Sequence, residues 1–286
     1  MKISVIIPFR NESKYIEACI NAVIEQDFPQ DQYEIIMVNN NSTDRSVEIV
    51  ENYPSIKLYH QPIQGNAITR NLGLAHATGS LIAFVDSDTV PAKDWLRNNE
   101  KAMRDSSVNL IVGRLEFKSA GLPLKLVEMY ELEKTRFVFS RKTKSTLFCY
   151  TCNLAIRKSV FENLGFFAEV RRSADILFLR NVVETYGIES VRFEEEVRVS
   201  RFEIATIWQY FKKLSNYGRD AGIYSKAADL RPINISERLE VLKNIMKRKQ
   251  FSVLNICFLF MLLIIGMLCY DFSRLVSSSR LLYRKS

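Results

Sequence analysis

The sequence predicts an α/β protein: a doubly wound, mostly parallel sheet flanked by helices, with one apolar helix near the C-terminus. Short runs rich in Val and Ile alternate with helix-period stripes through the first 117 residues. Those runs are apolar at successive positions, as strands covered by helices on both faces must be. A run without a single charge then fills residues 251–270.

The first strand is expected at residues 3–8. Its apolar stretch is too short for a signal peptide and passes straight into polar residues. Residues 13–25 put Ile16, Ile20, Val23 and Ile24 on one helical stripe, with Ser13 as the cap. The second strand is expected at 33–38. Asn41 suits the turn after it, and Ser42 or Thr43 suits the cap of a helix carrying Val47 and Val50. Strands at 56–59, 81–85 and 108–112 complete the series, with a third helix over 65–77. This alternation places ligands at the carboxyl ends of the strands.

With 286 residues and 47% hydrophobic content the chain has ample material for a core. Forty Lys and Arg against 32 Asp and Glu leave a net charge of +8, which suits phosphate-bearing ligands or an anionic membrane face. No nucleic-acid-binding signature accompanies the charge, so nucleic acid is not an expected partner. The five cysteines form no disulfide framework. Cys149 and Cys152 have ligand spacing, but the two histidines, His60 and His76, lie far upstream, and small residues in or beside a strand are the expectation.

The fourth expected strand ends in Asp86-Ser87-Asp88, two acids one residue apart at the edge where ligands bind. Left alone they repel each other. A divalent cation removes the repulsion, and carboxylate oxygens suit Mg2+ or Mn2+, which also take phosphate oxygens as ligands. No GxGxxG follows the first strand and no GxxxxGK[ST] occurs anywhere, so a dinucleotide oxidoreductase and a P-loop phosphotransferase are both unsupported.

Four blocks, Val5-Ile6-Ile7-Pro8-Phe9-Arg10-Asn11-Glu12, Val38-Asn39-Asn40-Asn41-Ser42-Thr43-Asp44, Ala67-Ile68-Thr69-Arg70-Asn71-Leu72-Gly73 and Ala83-Phe84-Val85-Asp86-Ser87-Asp88, together resemble the family-2 glycosyltransferases. The resemblance is close over residues 2–117 and looser to about 222. It implies a GT-A fold, a nucleotide-diphosphate sugar as donor and a divalent cation, Mn2+ or Mg2+, on the DxD pair. Carried over by position, Pro8, Phe9, Arg10 and Glu12 line the base and ribose, and Arg70 stands beside the nucleotide. Asp86 approaches the ribose or the metal, and Asp88 holds the metal.

Asn39 and Asn40 stand where relatives commonly carry Asp for the uracil N–H. An asparagine carbonyl still accepts, so Asn40 is assigned to the nucleotide with UDP favoured. The stretch ending in Ser173-Ala174-Asp175 resembles the segment of the catalytic acid, which makes Asp175 the candidate base for the acceptor hydroxyl and Glu169 the spare. Ala174 replaces the commoner Glu, and Ser200 stands where many relatives carry a metal-shell histidine. Lys212, Lys213, Tyr217, Gly218 and Arg219 resemble a basic, aromatic segment that meets phosphate in some relatives.

As a helix, residues 251–270 would be about 30 Å long, the thickness of a bilayer core, so a transmembrane helix is expected there. Ile204, Ile207, Trp208, Phe211 and Leu214 recur at helical spacing and fit an interfacial helix. The expected organisation is a catalytic domain over 1–222, with a nucleotide half over 1–117 and an acceptor half over 118–222. A basic linker follows over 223–250, then the span, then a basic tail over 271–286.

Four basic residues precede the span (Lys243, Lys247, Arg248, Lys249) and four follow it (Arg274, Arg280, Arg284, Lys285), so loop charge does not orient it. Nucleotide sugars are made in the cytosol, so the catalytic domain is expected to face the cytoplasm from the cell inner membrane. The acceptor is then expected to be a membrane-associated saccharide or a lipid-linked saccharide of cell-envelope synthesis. A second reading is a membrane-tethered scaffold that binds nucleotide sugar without turnover.

Overall fold

The computed structural model describes residues 1–118, 121–170, 173–224, 231–248 and 252–283. Contacts group the chain into two compact units: Met1–Glu116 with Phe148–Phe202, and Phe117–Leu147 with Glu203–Ser286. The stretch read from sequence as an acceptor half is thus divided between them.

In the first unit β1 (Ile3–Phe9), β2 (Tyr33–Asn39), β3 (Ile56–His60) and β4 (Leu81–Val85) pair in parallel, in the order β3-β2-β1-β4. Ile3 is in register with Tyr33 on one side and with Leu81 on the other. Every residue of β4 is buried, whereas β3, on the sheet edge, exposes Lys57 and His60. The crossover helices are α1 (Ile16–Ile24), α2 (Ser46–Glu51) and α3 (Asn66–His76). Ile16, Ile20 and Val23 of α1 are fully buried, which is the stripe the sequence predicts.

The predicted caps are not the ones used. Neither α1 nor α2 has a side-chain cap. The Ser13 N–H donates to Asp44 Oδ2 at 3.0 Å, and Asp44 Oδ1 accepts the Ser46 N–H at 3.0 Å. Ser13 and Ser42 are instead drawn into bonds that join the two loops at the ends of β1 and β2.

The rest of the sheet adds antiparallel pairs. After β4 come β5 (Thr89–Pro91), α4 (Trp95–Ala102) and β6 (Leu110–Phe117), then α5 (Leu122–Arg141) in the second unit. The chain returns as β7 (Asn153–Arg157), α6 (Lys158–Leu164), α7 (Ala174–Tyr186) and β8 (Val191–Arg201). Strand β7 lies between β4 and β6, antiparallel to both, and β5 pairs antiparallel with β8. The strand expected at 108–112 therefore runs over 110–117 and pairs antiparallel with β7. One buried amide ties this half together: Asn153 accepts the Trp95 indole N–H at 2.9 Å and donates to the Arg114 and Val197 carbonyls, each at 2.9 Å.

The second unit gathers α5, α8 (Ile207–Tyr224), α9 (Ile235–Lys247) and α10 (Val253–Tyr283). A capping box of Asn234 and Glu237 opens α9. Helix α10 runs past the predicted end at residue 270, and an Asp271–Arg274 ion pair at 3.5 Å spans one turn of the extension. Within it Val253–Val276 is long and apolar enough to cross a membrane. Arg171, Arg172, Lys249, Phe251, Arg284 and Lys285 lie outside the described residues, as do residues 225–230 of the 223–250 linker.

Candidate active site

The candidate residues collect at the carboxyl ends of β1, β2 and β4. Beyond β1, Arg10 is exposed and Asn11 takes a left-handed φ of 57°, a conformation Asn tolerates. Four bonds then brace the loop against residues 42–46. The Asn11 N–H donates to Ser42 Oγ (3.1 Å), the Thr43 N–H to Asn11 Oδ1 (2.7 Å), the Glu12 N–H to Ser46 Oγ (2.8 Å) and the Ser13 N–H to Asp44. Against the upward push of burial, hydrogen bonds from Ser46 and Ser13 hold the Asp44 carboxyl near 2.

The end of β2 shows what the three asparagines do. The Asn40 N–H donates to the Phe9 carbonyl at 2.9 Å. Both amide hydrogens of its side chain are committed, to the Gln61 carbonyl at 3.1 Å and the Ile63 carbonyl at 2.7 Å, while Oδ1 accepts the Gly65 N–H at 3.0 Å. Asn39 Nδ2 lies 3.2 Å from His60 Nδ1, and Asn41 donates to the Pro62 carbonyl. The three side chains fasten residues 60–65, the segment that leads into α3. Asn40 keeps one carbonyl lone pair for a ligand and no donor.

Helix α3 carries Arg70, which is 8% exposed and donates through Nη2 to Asp86 Oδ1 at 2.6 Å. Its Nε is buried and has no hydrogen-bond partner among the described residues. Asp86 opens a turn after β4: its carbonyl accepts the Thr89 hydroxyl at 2.6 Å and the Thr89 N–H at 3.1 Å. The Asp88 carbonyl accepts the Phe202 N–H at 3.1 Å, which anchors the turn to the end of β8.

The electrostatics report crowded negative charge. Burial first, then the charge of Asp86, pushes the Asp88 carboxyl up to about 6, against the pull of Arg201 and Arg70. Burial, then Asp88, Asp86 and Asp44, pushes Glu12 up to about 7. Acids held above their ordinary range by burial and by one another form a place that favours a cation. Among the described residues no group of three or more His, Cys, Asp or Glu is arranged to hold a metal. A cation at Asp86 and Asp88 would therefore complete its shell from phosphate and water, the habit of Mg2+ and Mn2+. The donor set fits such an ion.

Asp175 reaches this neighbourhood through an aromatic cluster. Phe84 of β4 meets Phe161 of α6 and Phe167, with ring centroids 6.2 and 5.5 Å away, and Phe178 of α7 stacks on Phe161 at 4.7 Å. Asn71 of α3 fixes Phe167 by two reciprocal bonds, of 2.8 and 3.1 Å. Helix α7 is thus docked beside β4, and Asp175 sits in its first turn, where Oδ1 accepts the Ile176 N–H at 2.9 Å. Ser173, with φ 65°, occupies the N-cap, so Asp175 is not the cap residue. Burial raises the Asp175 carboxyl, Arg70 lowers it and Asp86 raises it, so the three charges share one field.

The structure brings Glu12, Arg70, Asp86, Asp88 and Asp175 together, with Pro8 and Phe9 at the end of β1 beneath them. Glu169 is exposed, and no bond joins it to these groups among the described residues. Ser200 pairs with Val90 across β5 and β8. Arg201 is a site residue that the sequence reading missed. It pairs with Thr89, and its charge acts on Asp88.

Residues 4–165 match the family model described as glycosyl transferase family 2. Glycosyltransferase AglE of Haloferax volcanii is 30% identical over 170 residues, covering 57% of this chain and 55% of the relative. The poly(ribitol-phosphate) beta-N-acetylglucosaminyltransferase TarS of Staphylococcus aureus is 37% identical over 103 residues, 34% of this chain and 18% of that one. The match to each thus covers about half of the relative's length or less.

Among solved structures, mannosyltransferase PcManGT from Pyrobaculum calidifontis, in complex with GDP-Man and Mn2+, superposes with a TM-score of 0.68. Its identity is 18%, over 100% of this chain and 88% of that one. S. aureus TarS 1-349 in complex with UDP-GlcNAc gives a TM-score of 0.56 at 19% identity, over 94% of this chain and 82% of that one. These likenesses are of fold, the GT-A arrangement of sheet and helices. With its acid pair at the end of β4 and more than half of its length inside the family model, the chain belongs to glycosyl transferase family 2.

Proposed function

We propose that the chain is an inverting, metal-dependent glycosyltransferase that moves a sugar from a nucleotide-diphosphate sugar to a membrane-associated saccharide or a lipid-linked acceptor of cell-envelope synthesis. The observation that carries the reading is the meeting of Asp86 and Asp88 with buried Arg70, within the electrostatic reach of Asp175. Relatives use sugar nucleotides of both bases, UDP-GlcNAc in one complex and GDP-Man in another. UDP remains the favoured donor here, accepted at Asn40 through its remaining lone pair.

In this reading Pro8, Phe9, Arg10 and Glu12 line the base and ribose. Arg70 holds Asp86 in place and supplies a buried positive charge beside the acid pair. Asp86 and Asp88 would hold Mn2+ or Mg2+, which when bound supplies positive charge to the departing diphosphate. Asp175 takes the proton of the acceptor hydroxyl as that oxygen bonds to the anomeric carbon and the carbon–oxygen bond to the diphosphate breaks. Attack from the face opposite the leaving group inverts the configuration. A carboxyl raised by burial is a stronger base than a free one, which suits the task.

We place the protein at the cell inner membrane with its catalytic unit facing the cytoplasm, where nucleotide sugars are made. The apolar stretch of α10 supports membrane association, and a tethered enzyme gains from an acceptor held at the same surface. The test is nucleoside diphosphate release from a panel of UDP- and GDP-sugars with Mn2+ present. One donor class should support release, and Asp175→Asn should keep nucleotide binding while losing at least about 100-fold in rate. Saturable binding without release under any acceptor would favour the scaffold reading instead.

A further inference from the structure

We infer that the second unit lies on an anionic bilayer with α10 in the plane of the surface, rather than threading the membrane; this rests on the membrane association proposed above. Helix α10 has two faces. Leu259, Leu262, Gly266 and Ser273 are buried, while Leu254, Ile264, Leu268, Phe272 and Leu275 are exposed, Leu268 at 65% and Phe272 at 71%. With Cys257 and Met261, which are also exposed, these positions recur every three or four residues from 254 to 275, a stripe about 30 Å long on one side of the helix.

What covers the buried face decides the orientation. A Cβ on Gly266 would stand 2.9 Å from Leu214 Cδ1 and 3.8 Å from Phe211, and a Cβ on Gly218 would collide with the Tyr270 carbonyl oxygen. Ser215 and Ser273 share a hydroxyl hydrogen bond of 2.5 Å. Helix α8 is therefore in backbone contact with α10, and Gly266 lies within two residues of the middle of Val253–Val276.

If α10 crossed the bilayer, Lys212 and Lys213 of α8 would be carried to its centre beside Gly266, with Asn216 and Arg219 beside Tyr270. A Lys or Arg at that depth is strongly disfavoured, and reaching back to water serves residues near the ends of a span, not its middle. Lying flat avoids the conflict: the apolar stripe enters the acyl boundary while exposed Lys212 stays at the headgroups and Lys213 keeps its ion pair with Glu203.

Two further observations fit an anionic surface. Trp208 of α8 is 75% exposed, an aromatic suited to the headgroup boundary. On α9, Ile235, Leu239 and Met246 are exposed on the same helix as Lys243 and Lys247, so a second apolar stripe is edged with positive charge.

The test uses the full chain and vesicles of phosphatidylcholine with and without phosphatidylglycerol. Cys257 and Cys269 are replaced by Ser, and the buried thiols of Cys19, Cys149 and Cys152 are left in place. A nitroxide is placed in turn at Leu254→Cys, Ile264→Cys and Leu275→Cys, all exposed positions, and its depth is read by paramagnetic accessibility. We expect binding several-fold tighter with phosphatidylglycerol, and one shallow depth for all three labels. A label at 264 that lies deeper than the other two by about 15 Å would show a crossing helix and overturn the in-plane arrangement while leaving membrane association intact. A chain that stays off both vesicles, with its apolar face covered by a second copy in solution, would overturn the membrane reading as well.

Discussion

Asp88 is held against its own preference. Its carboxyl sits at about 6 rather than 3.8 because burial and the charge of Asp86 penalise the ionised form. That penalty is fully present above pH 6 and disappears as pH falls toward the unfolded value. Asp88→Asn should therefore melt higher than wild type at about pH 8 without metal, by roughly 2–4 °C for each kcal/mol relieved, and the two curves should meet near about pH 4. Thermal melts over a pH series check this; a variant less stable than wild type at high pH contradicts it.

Glu34 shows the opposite sign. Burial alone would raise it, but hydrogen bonds from Lys57, Ser4 and Thr78 outweigh burial and hold it at about 2. Its contribution is complete above the ordinary carboxyl value of 4.5 and is lost as pH falls through about 2. Glu34→Gln should be less stable than wild type at neutral pH and approach it in acid melts.

Elements differ in how far the sequence reveals them. Strands β1 to β4 and their crossover helices are legible because a strand buried on both faces needs an unbroken Val/Ile run, and a helix on a sheet needs one stripe. The helix caps are not legible: Ser13 and Ser42 have the right chemistry, but loop-to-loop bonds with Asp44 and Asn11 compete for them. Nor is the antiparallel half, since the pairing of β7 between β4 and β6 depends on a return after a long excursion, which local periodicity does not encode.

The antiparallel half hangs on Asn153. Asn153→Ala removes the acceptor of the buried Trp95 indole N–H and the amide donor to the Arg114 and Val197 carbonyls, and should cost on the order of 3 kcal/mol. Chemical denaturation measures it, and a loss below about 1 kcal/mol would show that water replaces the amide.

For the molecule as a whole, the candidate site was legible where its chemistry is local and hidden where folding assembles it. Asp86 and Asp88 announce themselves by spacing, and Glu12, Arg70 and Asp175 by resemblance to the family. Arg201 does not, because only the β5–β8 pairing brings it next to Thr89 and into the field of Asp88. The asparagines after β2 are legible by position but not by role, since their bonds go to residues 60–65.

A divalent cation held by the acids that close β4 and shared with a diphosphate is the centre of the proposed chemistry. Titration of Mn2+ into wild type and Asp88→Asn, each with UDP or GDP present, reads this directly. Wild type should bind one ion per chain with the nucleotide that its donor carries, and the variant should lose that binding. Equal Mn2+ affinity in the two proteins, with nucleotide bound to both, would contradict it.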